Sequence, residues 1–185
     1  GGTFSYRKIA NKRKVYEANI SLFDDLKKTD FDEDGKYSVD RFLCAHIIMF
    51  SLEGIPAVYF NSFFGTSNDN QKFKQTGIKR DLNRHKWCSE NLNKKLSCKT
   101  SKEKIIFNRL KEIIDIRKKQ DAFHPNATQF TLQINSNLFA LWRQSIKKDQ
   151  SIFSISNVTS KLVDFDLDNI NLIHDEMWID LFNPS

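Results

Sequence analysis

The stretch YSVDRFLCAHIIMFSLEGIPAVYF, residues 37–60, decides what kind of fold this sequence specifies. Within it Val39, Phe42, Leu43, His46, Ile47 and Phe50 recur three and four positions apart, the spacing that gathers one face of an α-helix, so residues 37–52 read as a buried helix. Behind Gly54 the run AVYF (57–60) is short and apolar, and Pro56 stands ahead of it, where a missing N–H is tolerated; this reads as a buried strand. Helix followed by short buried strand is the rhythm of an α/β barrel or a doubly wound sheet.

Working outward, residues 61–99 lack periodicity and carry Asn, Ser, Gly and Asp, the composition of a long functional loop. TSKEKIIFNRLKEIIDIRKKQ (100–120) opens with Thr100 and Glu103 at capping-box spacing and ends basic, as a helix dipole prefers. Ile106, Leu110, Ile113 and Ile114 give it an apolar stripe, so a helix is expected over 100–119. After DAFHPNA (121–127) the period becomes two: TQFTLQI, LFALWRQS, SIFSISNV, INLI (170–173) and EMWIDLF (176–182) are short strand candidates between turn residues. Upstream, residues 1–30 read as polar and irregular around an apolar island, ISLFDDL. The expected organisation is α/β and then all-β, with residues 1–122 as one part and a small antiparallel β domain over 123–185.

Composition bounds the function. At 185 residues the chain suits one domain or a domain and a half, and 39% hydrophobic content with 16 Phe supplies a core, which excludes a disordered tail. A net charge of +6 allows an anionic partner. Acids interrupt every basic run, however, which speaks against dedicated nucleic-acid binding. Cys44, Cys88 and Cys98 are odd in number and form no CxxC pair, against a disulfide framework or a zinc site, so a reducing, cytoplasmic setting is expected. No apolar run reaches about 18 residues, so no transmembrane helix and no membrane partner are expected. The start GGTFSYRK has neither an initiator Met nor a signal-peptide pattern and reads as the interior of a longer protein.

Several chemical motifs fail on inspection. In DFDEDGKYSVDR (30–41), Asp30, Asp32, Asp34 and Gly35 fit the first half of an EF-hand, but the twelfth position, where calcium needs a bidentate Glu, is Arg41. A solvated acidic turn leading into a helix is the expectation. The histidines at 46, 85, 124 and 174 have no HxxxH or HExxH spacing, so neither metal nor cofactor is expected. His46 belongs to the apolar helix face, whereas His85 and His124 sit in loops and stay open. Trp87, Phe63 and Phe64, in the long loop, are candidates to face a ligand.

TGIKRDLNRHKW (76–87) is different. Its RDLNR core packs Arg80, Asp81, Asn83 and Arg84 into five residues. Vicinal sugar hydroxyls suit such paired donors and acceptors, and phosphate suits the arginines alone. A surface ion-pair cluster fits the same spacing.

These segments together resemble a known family. EGIPAVYFNSFFGTSND (53–69), TGIKRDLNRHKW, LKEIIDIRKKQDAFHPNATQFTLQI (110–134), LFALWRQS, QSIFSISNV and VYEANISLFDDL (15–26) resemble, in order and over essentially the whole chain, the sucrose-phosphorylase-like branch of the α-amylase superfamily of glycoside hydrolases. The resemblance implies the C-terminal end of a (β/α)8 TIM barrel: AVYF as strand eight, residues 100–119 as the closing helix, residues 61–99 as the loop after strand eight, and the period-two half as an incomplete C-terminal β domain. Barrel sites lie in such loops.

The chemistry it implies is retaining glucosyl transfer from a glucoside such as sucrose to inorganic phosphate, through a carboxylate nucleophile and a second carboxyl acting as acid and base. Those carboxyls come from strands four, five and seven, so no catalytic residue is expected in this chain, and alone it is expected to be inactive. By the same resemblance Arg80 binds a glucosyl hydroxyl, Asp81, Asn83 and Arg84 shape and brace its loop, and Tyr16 and Glu17 lie near phosphate and acceptor. Glu17 departs from the usual Gln, which calls sucrose into question as the substrate and leaves glucosylglycerate or phosphorylated sucrose as the alternative. A noncatalytic carbohydrate- or nucleic-acid-binding module is the alternative. A barrel cut after strand seven is also expected to expose apolar surface and to associate.

Overall fold

The computed structural model describes residues 1–166 and 177–183. The chain divides into two compact units, Gly1–Ala45 with Ala57–Lys111, and His46–Pro56 with Glu112–Ser185. Among the described residues each contains one small antiparallel sheet, of two strands in the first and three in the second. No helix among the described residues is long and apolar enough to cross a membrane.

The helical periodicities translate directly into structure. Helix α2 spans Ser38–Ser51, after a single-turn helix α1 at Leu22–Asp25. Its expected apolar face is inside: Phe42, Leu43, His46 and Phe50 are buried. Two further helices, α3 (Asn70–Thr76) and α4 (Ser89–Ser97), occupy the stretch expected to be loop, and α5 follows at Lys102–Lys118. In α5 the stripe Ile106, Leu110 and Ile113 is buried, whereas Ile114 is only half-buried. The N-cap differs from expectation: Ser101, not Thr100, accepts the backbone N–H of Lys104, at 3.1 Å. Ser101 is one residue nearer the first turn, where its hydroxyl reaches an orphan donor.

The first unit centres on Phe23, Phe42, Phe64, Leu82, Ile106 and Leu110, all buried. Burial of such side chains contributes roughly 1.5–3 kcal/mol each. Gly65 holds a tight point in this core. It ends the short 3-10 turn Phe60–Phe64 with φ +52°, and a Cβ placed there would stand 2.3 Å from Ile106 Cδ1 and 3.1 Å from Phe23 Cδ2. Gly65→Ala therefore combines a left-handed backbone penalty with a clash in the core. An expected loss of about 2–4 kcal/mol should appear as a lowered denaturant midpoint.

Residues 1–30 are ordered, contrary to the reading of an irregular segment. Strands β1 (Thr3–Ile9) and β2 (Lys12–Asn19) form an antiparallel hairpin whose tip, Ala10–Asn11, has φ +46° and +61°. Positive φ at both tip residues matches the twist of the flanking strands. The tip offers no Gly to betray it. The near-EF-hand is, as expected, a turn leading into a helix with Asp30, Glu33 and Asp34 exposed, but one of its acids is enclosed: Asp32 is buried and accepts from the backbone N–H groups of Lys36 (2.8 Å) and Tyr37 (3.0 Å) and from Arg41 Nη2 (2.8 Å). The cation at the twelfth position occupies the carboxylate itself, and that contact holds the Asp32 carboxyl below its usual range. No group of side chains among the described residues is arranged to hold a metal ion.

The expected buried strand at 57–60 does not form. Ile55 is 85% exposed, Tyr59 and Phe60 are exposed as well, and the 3-10 turn begins at Phe60. A strand is completed by hydrogen bonds to a neighbour, and no described segment pairs with this one.

In the second unit, β3 (Thr128–Leu132), β4 (Leu138–Gln144) and β5 (Ser151–Asn157) pair in sequence order, with Thr128 opposite Gln144 and Gln144 opposite Ser151. Phe130, Trp142 and Phe153 stand opposite one another across the three strands, with ring centroids 4.8 and 5.9 Å apart. The expected strand EMWIDLF does not form over its described residues 177–182, although Trp178 closes the aromatic row against Phe153 at 4.8 Å. INLI lies outside the described residues. Two arginines hold the carbonyls at the end of α2: Arg117 donates to Phe50 O and Gly54 O, and Arg143 to Ser51 O, His124 O and Ala127 O. Cations at a helix C-terminus also meet the negative end of its dipole.

Candidate functional site

The TGIKRDLNRHKW stretch folds onto the first unit as a 3-10 turn, Lys79–Leu82, anchored by Leu82, which is 1% exposed. Leu82 O accepts the backbone N–H of Asp69 at 2.7 Å. With this apolar residue inside, the charged neighbours are pushed outward.

Arg80 and Glu17, 63 residues apart, meet: Arg80 Nε donates to Glu17 Oε1 at 3.1 Å and to Oε2 at 3.3 Å. The pair is open to solvent, with side-chain exposures of 51% and 27%. Beside it Lys79 Nζ donates to Phe4 O at 2.6 Å, tying the turn to β1. Asp81 accepts from Lys72 Nζ at 2.9 Å, and that bond, helped by Thr76, lowers the Asp81 pKa. The Asn83 side chain makes no hydrogen bond among the described residues; its Oδ1 is buried, and the residue lines a cavity of about 220 Å³ with Asn61, Ser62, Thr66 and Tyr59. Arg84 is exposed and makes no ion pair or hydrogen bond with Arg80 or Glu17. Tyr16 is exposed at the β-bulge opposite Ser5 and Tyr6. Of the six residues expected at the site, the fold thus brings Arg80 and Glu17 into direct contact and leaves Arg84 and Tyr16 on the surface.

The braces of this loop escaped sequence reasoning. Asp69 caps α3 by accepting Lys72 N at 2.9 Å and also binds His85 Nδ1 at 2.7 Å. The Lys72 amide and the His85 ring together hold its carboxyl below the usual range. Asn61 Nδ2 donates to His85 O at 3.0 Å, and Trp87 Nε1 to Thr66 Oγ1 at 3.0 Å. Trp87 thus packs against His85, edge to face at 4.8 Å, and Phe64 is core rather than ligand-facing. Asp24, without an expected role, accepts the N–H of Asn68 at 2.7 Å, while Asn68 Oδ1 accepts that of Ser21, also at 2.7 Å. The one available signal was the Asp69-Asn70 pair ahead of QKF, an N-cap pattern in a segment read as loop.

Chemically, the acids here are committed. Asp69 and Asp81 are lowered in pKa and Glu17 is paired with Arg80. A general acid at neutral pH needs the opposite shift. Open to a ligand are the Arg80 Nη groups, which make no hydrogen bond among the described residues, the buried Asn acceptors, and the exposed Tyr16 and Arg84.

The fold has a solved counterpart. It is similar to sucrose 6F-phosphate phosphorylase from Thermoanaerobacter thermosaccharolyticum, with a TM-score of 0.58 and 19% identity over 89% of this chain and 33% of that one. In sequence, it is 34% identical to a glucosylglycerate phosphorylase of Allomeiothermus silvanus over 87% of its length, and 26% identical to a sucrose phosphorylase of Agrobacterium vitis over 80%. These alignments span 28% and 27% of the relatives' own lengths, little more than a quarter. No family model matches. The chain is homologous to the C-terminal portion of the sucrose-phosphorylase-like glycosyl phosphorylases.

Proposed function

We propose that this chain supplies part of the sugar- and phosphate-binding wall of a retaining α-glucosyl phosphorylase whose catalytic carboxyls lie in sequence upstream. The observation that carries this reading is the Arg80–Glu17 contact, which joins two sequence-distant segments on an open face. Arg80 contacts a glucosyl hydroxyl through its Nη groups, with Nε held by Glu17. Asp81 and Asn83 shape the loop, and Tyr16, Glu17 and Arg84 stand on the side of phosphate and acceptor. In the finer fold reading, residues 57–60 take the place of strand eight of a (β/α)8 barrel once neighbouring strands complete their hydrogen bonds. Residues 1–122 then belong to the barrel and 123–185 to a C-terminal β domain.

The committed acids support the division of labour. Retaining glucosyl transfer needs two carboxyls about 5–5.5 Å apart, one of them with a raised pKa. Asp69 and Asp81 are shifted the other way. Glu17 places an acid beside the acceptor position. An acceptor with its own hydroxyl donors fits there, and among the relatives are glucosylglycerate and sucrose 6(F)-phosphate phosphorylases.

The test is an assay of phosphate-dependent glucose 1-phosphate release, on the polypeptide that joins this chain to its upstream sequence and on the chain alone. The joined polypeptide is expected to release it from glucosylglycerate or sucrose, and the isolated chain from neither. Turnover by the isolated chain, or none by the joined polypeptide on any α-glucoside, would refute the reading.

A further inference from the structure

The second unit carries a cavity of about 930 Å³ between the end of α2, the second half of α5, β5 and residues 177–182. Ile47, Phe50, Ile113, Phe123, Phe153 and Leu181 give it apolar walls. Small-molecule sites run from about 300 to 1,000 Å³ and combine such walls with a few polar groups. Met177 and Ile179, on the same lining, stay exposed to water.

Most polar groups of the lining are spent on their neighbours. Ser51 Oγ and Ser154 Oγ lie 2.6 Å apart, and Gln150 Nε2 donates to Gln120 Oε1 at 2.7 Å. Arg117 turns its two Nη groups to Phe50 O and Gly54 O. The acids are engaged as well: Asp149 Oδ1 accepts from Ser145 Oγ at 2.7 Å, and Asp180 accepts from Phe182 N and Asn183 Nδ2, each at 2.9 Å. Two donors are left without an acceptor. Trp178 Nε1–H is buried and makes no hydrogen bond among the described residues, whereas Trp87 and Trp142 give theirs to Thr66 Oγ1 and Ser151 Oγ. Lys148, in the β4–β5 turn with a φ of +61°, has no ion pair or side-chain hydrogen bond among the described residues. A buried indole N–H ordinarily finds an acceptor, and a positive φ on a residue other than Gly is strain of the kind that gathers at ligand sites.

Apolar walls, a buried N–H and an unpaired ammonium, with the neighbouring acids already engaged, complement an apolar body that ends in an anionic oxygen head. A cationic head would be repelled by Lys148. A plain hydrocarbon would leave Trp178 Nε1 unmet.

We propose that this cavity binds a single-chain aliphatic carboxylate, its chain against the Ile and Phe walls and its head taken by Trp178 Nε1–H and Lys148. The residues assigned to sugar and phosphate all belong to the first unit and the cavity lies wholly in the second, so this site and the phosphorylase reading fail separately.

The experiment is isothermal titration calorimetry of the 185-residue chain with decanoate, kept below its micellar range. Saturable binding of a single decanoate per chain is expected, with acetate giving no heat beyond dilution and decyltrimethylammonium binding about tenfold more weakly or worse. Trp178→Phe keeps an aromatic ring and removes the N–H; it should weaken decanoate binding about tenfold. Lys148→Glu should weaken it about fivefold or more; it alters an exposed turn residue and serves if Trp178→Phe does not fold. Lys147→Glu, the same charge change at an exposed site off the lining, should bind decanoate as the unaltered chain does. Equal affinity for decanoate and decyltrimethylammonium would reduce the cavity to apolar adsorption and overturn the proposal. So would the lack of saturable binding, or full affinity kept in both Trp178→Phe and Lys148→Glu. Concentration-dependent dimerisation that decanoate does not reverse would assign the face to a second copy and overturn it too.

Discussion

Arg143→Ala is expected to destabilise the second unit by about 3 kcal/mol or more. The guanidinium is 0% exposed and donates to three carbonyls, Ser51 O at 3.0 Å, His124 O at 3.1 Å and Ala127 O at 3.4 Å. These belong to two segments: the end of α2, and the turn His124–Ala127 that leads into β3. Burial pushes the Arg143 pKa down, against a smaller opposite pull from Glu53. The charged form persists because the carbonyls replace its water. Truncation removes three donors at once and leaves buried acceptors and a void, each of which costs separately. Arg143→Met, which fills much of the void, should lose less than Arg143→Ala. The fluorescence of Trp142, its neighbour in β4, followed through urea unfolding, reads the midpoint locally. An unchanged midpoint in the alanine variant would show that the carbonyls find water instead.

Arg80→Ala, in the polypeptide that includes the upstream sequence, is expected to lower kcat/KM about 100-fold, the usual effect of removing one charged donor that acts on the transition state. A merely structural role predicts something else. The Arg80–Glu17 pair is half exposed, so breaking it should change stability by less than about 1 kcal/mol. Activity and stability therefore part company if Arg80 touches the sugar. Arg80→Lys should not restore the rate, because an ammonium cannot keep the Nε contact to Glu17 while offering two further N–H groups in one plane. Near-normal kinetics in the alanine variant would remove Arg80 from the site and leave it as a surface ion pair.

Much of the fold was legible because it is written in local periodicity. Phe42, Leu43, His46 and Phe50 on α2, and Ile106, Leu110 and Ile113 on α5, are buried as their spacing foretold. The three strands of the second sheet follow the period-two runs. The hairpin was not legible, because Arg7, Lys8, Lys12, Arg13 and Lys14 hide any apolar alternation and Ala10–Asn11 lacks the Gly that signals a tight turn. Asp32 was misjudged for a related reason. Composition marks a run of acids as solvated, but only the folded turn shows one of them enclosed by two amides and Arg41.

By itself the sequence determined the helix faces, the second sheet, and the Arg80–Arg84 cluster as the place to look, since these depend on neighbours a few residues apart. Only the tertiary structure decided that Arg80 meets Glu17 across 63 residues, that Asp69 braces both α3 and His85, and that AVYF pairs with no strand among the described residues. The reason is physical in each case. An ion pair, a shared carboxylate or a strand is completed by a partner, and residue spacing carries no record of which distant segment the chain brings to meet it.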